Sequence, residues 1–176
     1  MSEVRMYIKK AIDVSALDEE LIRRALEKKI ARRREDLIVR DLKPTDIGLS
    51  NDVWTEDFSG GTANSWNRVT PSSGKDVEDK IIGIYGVAND ASTPLTVGLR
   101  FTQGAEGRDV EVRGEYFFQE MYVKQEPKAV FSEPVIFEDD ETMNIYAYIR
   151  ATGTDGLILR GRVVEPASKV VGKGSR

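Results

Sequence analysis

The chain contains no histidine and no cysteine among its 176 residues, and these two absences narrow the chemistry open to it. Histidine is the commonest general base and metal ligand, and cysteine supplies thiolate nucleophiles and disulfides. Catalysis of the Ser-His and Cys-His kinds is therefore excluded. Carboxylate chemistry remains open, but no spacing of acidic residues predicts that two of them approach each other. We predict a protein that is not an enzyme and holds no metal or cofactor. A carboxylate-dependent hydrolase remains an alternative, after the two binding functions described below.

Long apolar runs are missing as well. No stretch of the sequence approaches the ~20 residues needed to cross a bilayer. The first residues, Met1–Arg5, lack the apolar core of a signal peptide. We therefore expect a protein that is made in the cytoplasm and has no membrane partner. Its hydrophobic content of 40% is sufficient for one well-cored domain with an extension.

The net charge of −4 conceals an asymmetry along the chain. Residues 1–43 hold 12 lysines and arginines against 9 acidic residues, whereas residues 44–176 hold 14 against 21. Phosphate neutralisation supplies most of the affinity for nucleic acid, so a body that binds it should be basic. The acidic body disfavours nucleic acid as a partner and leaves only the N-terminal region able to contact a polyanion.

The N-terminal residues alternate in polarity with a period of two, which is typical of a half-buried strand or an extended arm. The apolar side of this arm consists of Val4, Met6 and Ile8, and the other side of Arg5, Tyr7 and Lys9.

A helix is predicted from Ser15 to Glu35. Ser15 and Asp18 have the spacing of a capping box, and three arginines near the end suit the helix dipole. The helix is basic on one side, and its apolar stripe consists of Ile22, Leu26 and Ile30. Three roles remain open for it: packing on the chain's own body, docking on an acidic protein surface such as a neighbouring copy, or contact with nucleic acid or anionic lipid.

The rest of the chain reads as strands separated by turns. A short strand is expected within residues 36–42, and six stronger runs follow, rich in valine, isoleucine, tyrosine and phenylalanine. They are Ile81–Val87, Leu95–Gln103, Arg108–Phe118, Ala129–Phe137, Met143–Arg150 and Leu157–Val164. This pattern predicts a mainly β protein, an antiparallel jelly-roll-like sandwich with an N-terminal arm and one helix. The predicted organisation is arm and helix over 1–43, sandwich over 44–168 and a tail over 169–176.

Two features of the loops suggest ligand sites. Five aromatic residues could supply a stacking platform for a sugar or a base, or alternatively cap the core: Trp54, Trp66, Tyr116, Phe117 and Phe118. Of these, Trp54 and Trp66 lie in loop-rich sequence. The acidic run Glu138–Glu141 could bind calcium, but it lacks the alternating ligands of a calcium loop and is better explained as a solvated turn.

Four segments carry a family resemblance: Asp41–Trp54, Gly61–Asn67, Ile81–Val87 and Leu157–Pro166. Over residues 38–166 the sequence resembles, in its general character and without a diagnostic motif, structural proteins encoded by tailed viruses of archaea and their proviruses. The resemblance implies a virion component, for which a β-sandwich with an N-terminal arm or helix is a frequent plan. It implies no catalytic residues.

The function expected from the sequence is that of a non-enzymatic virion structural protein. It would be an accessory capsid component, of the decoration, turret or vertex-associated kind, with itself and other capsid proteins as partners. The arm would add a strand to a neighbour's sheet, and the helix would pack between subunits. The residues predicted for this contact are Val4, Met6, Ile8, Ile22, Leu26 and Ile30. The alternative is a β-sandwich module that binds carbohydrate or another ligand through Trp54 and Trp66.

Overall fold

Two antiparallel sheets face each other in the computed structural model of the chain, which describes residues 12–105 and 110–168. Within these residues there are eleven strands and two α-helices. The strands are β1 (Leu37–Asp41), β2 (Glu56–Asp57), β3 (Ser65–Arg68), β4 (Lys75–Asp76), β5 (Ile81–Asn89), β6 (Thr96–Gln103), β7 (Glu111–Phe117), β8 (Lys128–Phe137), β9 (Thr142–Ile149), β10 (Thr154–Asp155) and β11 (Leu157–Pro166). The helices are α1 (Val14–Glu27) and the four-residue α2 (Glu120–Val123).

The strand order is that of a jelly roll. The first sheet has the order β1-β11-β5-β8 and the second the order β3-β9-β6-β7, with β4 also paired to β9. The pairs are nested along the chain: β1 with β11, β3 with β9, β5 with β8 and β6 with β7. This nesting arises when one long antiparallel ribbon is wrapped so that its successive pairs fall into alternate sheets. The prediction of a mainly β antiparallel sandwich is confirmed.

The main core fills the space between the two sheets. Strand β9 shows why, because its apolar residues alternate with polar ones, and Ile145, Ala147 and Ile149 are all fully buried. They meet Leu99 and Phe101 of β6 on the same inner surface, while the first sheet contributes Ile84, Val87, Phe137 and Leu159.

A second, smaller core lies on the other side of the first sheet, under α1. Leu21 and Ala25 of the helix are fully buried against Ile81 and Val164. Gly83 permits this approach, since a Cβ there would stand 3.1 Å from the side chains of Leu17 and Leu21. The described residues therefore form three layers, with α1 covering the outer surface of the first sheet.

The predicted helix, from about Ser15 to Glu35, is present, but it ends eight residues earlier than predicted. It begins one residue earlier, at Val14, because Asp13 is the N-cap and its carboxylate accepts a hydrogen bond from the Ala16 amide. It ends at Glu27, because Lys29 takes a left-handed conformation (φ 59°) and the following amide, Ile30 N, bonds back to Ala25 O. Of the basic residues beyond the helix, Lys28 and Lys29 form a turn, and Arg34 begins a short 3-10 helix, Arg34–Asp36.

The predicted boundary at residue 43 does not correspond to a break in the fold. Strand β1 lies before it and pairs with β11 in the first sheet, and α1 packs on the same sheet. The predicted tail, 169–176, lies outside the described residues. Among the described residues, no helix combines the length and apolarity needed to cross a membrane.

Candidate functional site

The outer surface of the second sheet carries a cluster of aromatic and charged side chains. Because side chains alternate along a strand, the residues that neighbour the buried ones on β3, β6, β7 and β9 point away from the core. No described helix covers this surface, in contrast to the first sheet. We call it the aromatic face, and it comprises Trp66, Arg100, Glu115, Phe117 and Tyr148.

Three rings of the aromatic face contact one another edge to face. The centroid of Trp66 lies 5.6 Å from that of Phe117 and 5.3 Å from that of Tyr148, and the remaining pair is 5.9 Å apart. Their planes are inclined by 57° to 79°, the geometry that aromatic quadrupoles favour. The rings therefore form a compact, rigid cluster and not a coplanar platform.

An arginine covers one side of this cluster. The Arg100 guanidinium carbon lies 4.4 Å from the Trp66 ring centroid, within the range of a cation–π contact. Its Nε donates a hydrogen bond to Glu115 on the neighbouring strand over 2.9 Å. Both charged side chains remain about one-third exposed, 35% for Arg100 and 37% for Glu115, so they can exchange this contact for one with a partner.

Phe117 is the most exposed member of the cluster, at 62%. It lies directly opposite Gly98 on β6, and a Cβ at that position would stand 2.8 Å from two of its ring carbons. The missing side chain of Gly98 therefore leaves room for the phenylalanine ring to pack over this position. Such a large exposed apolar side chain, held by fixed neighbours, is typical of a surface that binds something.

The two predicted stacking tryptophans are not brought together. Trp66 lies on the aromatic face, whereas Trp54 is partly buried and packs against the main core, as in the alternative considered for it. Sequence reasoning did not single out Arg100 or Tyr148 for this site. The signal that could have found them is strand register, because they meet Trp66 only when β6 and β3 flank β9.

The predicted assembly residues on the helix are covered within the chain. Ile22 is buried, and Leu26 and Ile30 are partly buried, all against the core beneath α1. Of the three roles left open for the helix, the structure therefore places its stripe on the chain's own body. The arm residues, Val4, Met6 and Ile8, lie outside the described residues.

The basic side of the helix is occupied by ion pairs. Arg24 and Lys28 contact Glu138, which belongs to the acidic run predicted to be a solvated turn. At the other end of that run, Glu141 pairs with Arg113. Residues 12–105 and 110–168 contain no group of three or more carboxylates placed to hold a metal ion.

A buried pair of carboxyls lies at one end of the sandwich. Glu56 on β2 stands opposite Asp155 on β10, and both are buried. Asp155 accepts hydrogen bonds from Asn89, from Thr96 and from the amides of Leu95 and Gly156, so its oxygens hold the adjoining loops together. Glu56 Oε1 has no hydrogen-bond partner among the described residues.

The environment of this pair changes the ionisation of Glu56. Burial, and secondarily the charge of Asp155, raise the pKa of Glu56 from 4.5 to about 7. A hydrolase of the carboxylate kind needs two acids on either side of an open cleft. Here both acids are enclosed, with exposed fractions of 9% and 1%, so this pair is better suited to a structural role.

Comparison with known proteins gives no family assignment. The sequence matches no protein-family model and no curated protein.

Proposed function

We propose that this protein is a non-enzymatic structural protein of a virion, an accessory capsid component that docks on other capsid proteins and on copies of itself. The observation that carries the proposal is the aromatic face. One sheet of the sandwich is covered by the chain's own helix, while the other presents tryptophan, tyrosine, phenylalanine and arginine to the outside. These residue types are enriched in protein–protein interfaces and dominate their binding energy.

The fold supports the proposal by analogy. Jelly rolls built from two facing sheets occur in viral capsid proteins, and they also occur in lectins. Since one fold serves many functions, the choice between these two depends on the site.

The geometry of the aromatic face favours a protein partner over a sugar. Carbohydrate stacking needs a ring whose flat side is open, but Arg100 lies over the Trp66 ring and Tyr148 packs against the same ring at an angle of 79°. The rings are inclined to one another, and an exposed Arg–Glu pair lies at their margin. An anchor of packed aromatic rings beside charged residues resembles the centre of a protein interface with its polar rim.

A co-sedimentation assay tests the proposal. The purified chain is mixed with capsids of the virus or provirus that encodes it, and we expect it to sediment with them. Phe117→Ser should reduce binding at least tenfold, because it removes an exposed anchor of about 2 kcal/mol or more. The matched control is Val53→Ser, since Val53 is equally exposed, at 64%, but lies outside the aromatic face.

The carbohydrate alternative is tested in parallel on a glycan array. The exposed Phe117 ring is the observation in its favour, because that ring could stack on a sugar. Glycan binding that disappears in Trp66→Ala, without any co-sedimentation with capsids, would replace the proposed function by this one. Equal loss of capsid binding in the Phe117 and Val53 variants would also contradict the proposal that the aromatic face binds the capsid.

A further inference from the structure

Strand β7 leaves one edge of the second sheet open. It lies at the end of the sheet order, and among the described residues β6 is its sole strand partner. Among the residues that the structure describes, five large apolar side chains are exposed; Val112 and Phe117 of these belong to β7, and Val110 directly precedes it. An open edge flanked by exposed apolar side chains is a template for an added strand.

The other edges of the two sheets are less suited to this. Edge strand β8 contains Pro134, which cannot donate a backbone hydrogen bond, and its register to β5 is interrupted between Val130 and Val135. Edge strand β1 has only five residues and ends in Arg40 and Asp41, both engaged in ion pairs. On the far side of the second sheet, β3 and β4 have four and two residues.

The flank that contains β7 is strongly acidic. Residues 111–141, which run from β7 through β8 to the following turn, hold 9 acidic residues against 3 basic ones. Two of these acids are paired with basic residues from outside the range, Glu115 with Arg100 and Glu138 with Arg24 and Lys28, and the remaining acids still outnumber the basic residues. The segment that precedes α1 has the opposite charge, because residues 1–11 hold Arg5, Lys9 and Lys10 against Glu3. The two segments are thus complementary in charge.

On the basis of the proposed function, we infer that the arm of one copy adds a strand to the β7 edge of a second copy. Residues 4–9 alternate in polarity as an added strand requires. In the regular part of β7, Tyr116 points toward the core and Glu115 points outward to Arg100. The apolar row of the arm would extend the inner row of β7, and its basic row would come to lie beside Glu115.

The direction of α1 favours a second copy over the arm's own chain. At its start the helix is fixed to the β1 side of the first sheet, since Asp18 bonds Arg162, which in turn bonds Asp41. At its end it reaches Glu138, directly after β8. Strand β7 lies beside β8. The chain therefore enters α1 on the β1 side of the molecule, which is opposite to the β7 edge of the same chain. Such a contact is head to tail and closes into a ring or continues as a chain.

The absence of cysteine allows a direct test by disulfide cross-linking. A Tyr7→Cys chain is mixed with a size-tagged Glu115→Cys chain under mild oxidation, and we expect a cross-linked dimer of unlike chains. The control mixes Tyr7→Cys with a tagged Asp41→Cys chain, which offers a more accessible thiol on β1, because the Asp41 side chain is 84% exposed and that of Glu115 is 37% exposed. This control should yield at least tenfold less of the mixed dimer.

A second measurement uses the otherwise native chain. Removal of residues 1–11 leaves α1 and its cap Asp13 in place, and it should lower the solution mass in light scattering to that of a monomer. An unchanged mass, or preferential cross-linking to Asp41→Cys, would overturn the inference. A monomeric native chain that still sediments with capsids would overturn it while leaving the proposed function intact, with the capsid protein as the partner of the arm.

Discussion

At the scale of single residues, the buried carboxyl of Glu56 predicts an unusual dependence of stability on pH. Its pKa is about 7 in the folded chain and near 4.5 in the unfolded chain, so the folded state binds the proton more tightly. Stability from this group is therefore present below pH 4.5 and is lost as the pH rises to about 7. The loss is at most ~3 kcal/mol.

Glu56→Gln checks this prediction, because the amide cannot ionise. In urea denaturation we expect the variant to be more stable than the native chain at pH 8, with the difference shrinking below pH 5. Parallel stability curves for the two proteins between these pH values would show that Glu56 ionises normally in the folded chain.

A substitution at Gly98 should weaken docking on the capsid without lowering the stability of the fold appreciably. In Gly98→Ala the new Cβ would collide with the Phe117 ring, which can swing out into solvent because it is mostly exposed. We expect a change of less than ~1 kcal/mol in the free energy of unfolding, because the close contact is relieved by moving the exposed Phe117 side chain. Capsid co-sedimentation should fall as in Phe117→Ser. Full binding by Gly98→Ala would show that the position of the Phe117 ring does not matter.

At the scale of elements, helix α1 is held by the small core beneath it. Leu21 is fully buried there, so Leu21→Ala should lower the free energy of unfolding by about 2–5 kcal/mol. Val53→Ala, which shortens an exposed side chain, should change it by less than ~0.5 kcal/mol. Denaturation followed by circular dichroism measures both. A small effect of Leu21→Ala would mean that the helix contributes little to the stability of the sheet.

Helix α1 also shows which structural features can be predicted from a sequence pattern and which cannot. Its existence and its apolar stripe were predictable from spacing, but its ends depend on Asp13 as a cap and on the left-handed turn at Lys29. Neither follows from periodicity, since lysine rarely adopts that conformation. Nor could the pattern say which surface the stripe covers, because a helix that packs on its own sheet and one that packs on a neighbour's have the same spacing.

The aromatic face was predictable only in part, for a related reason. Trp66 was singled out as a stacking residue, and in the structure the alternation of side chains along β9 places Tyr148 on its outer side. Their meeting with Phe117 depends on which strands are neighbours, and the nested jelly-roll pairing joins residues some 80 positions apart. Local patterns contain no information on such pairings, so the cluster could be found only in the folded chain.

At the scale of the whole molecule, the separation of charge predicts how assembly responds to salt. The arm is basic and the β7 flank acidic, and exposed ion pairs are screened as the Debye length shrinks from ~10 Å at about 0.1 M salt to ~3 Å at about 1 M. Two or three such pairs together contribute about 1 kcal/mol, which corresponds to roughly a fivefold change in the dissociation constant.

Light scattering over a concentration series at the two salt levels measures this change. We expect weaker self-association at high salt. The double variant Arg5→Gln with Lys9→Gln should be weakly associated at both levels, because it has lost the charges that salt would screen. Because the main core is apolar, the free energy of unfolding should not fall at high salt. Measuring it separates screening of the contact from a loss of folded protein. Self-association that strengthens with salt would instead indicate that apolar contacts, such as those of Phe117, dominate the interface.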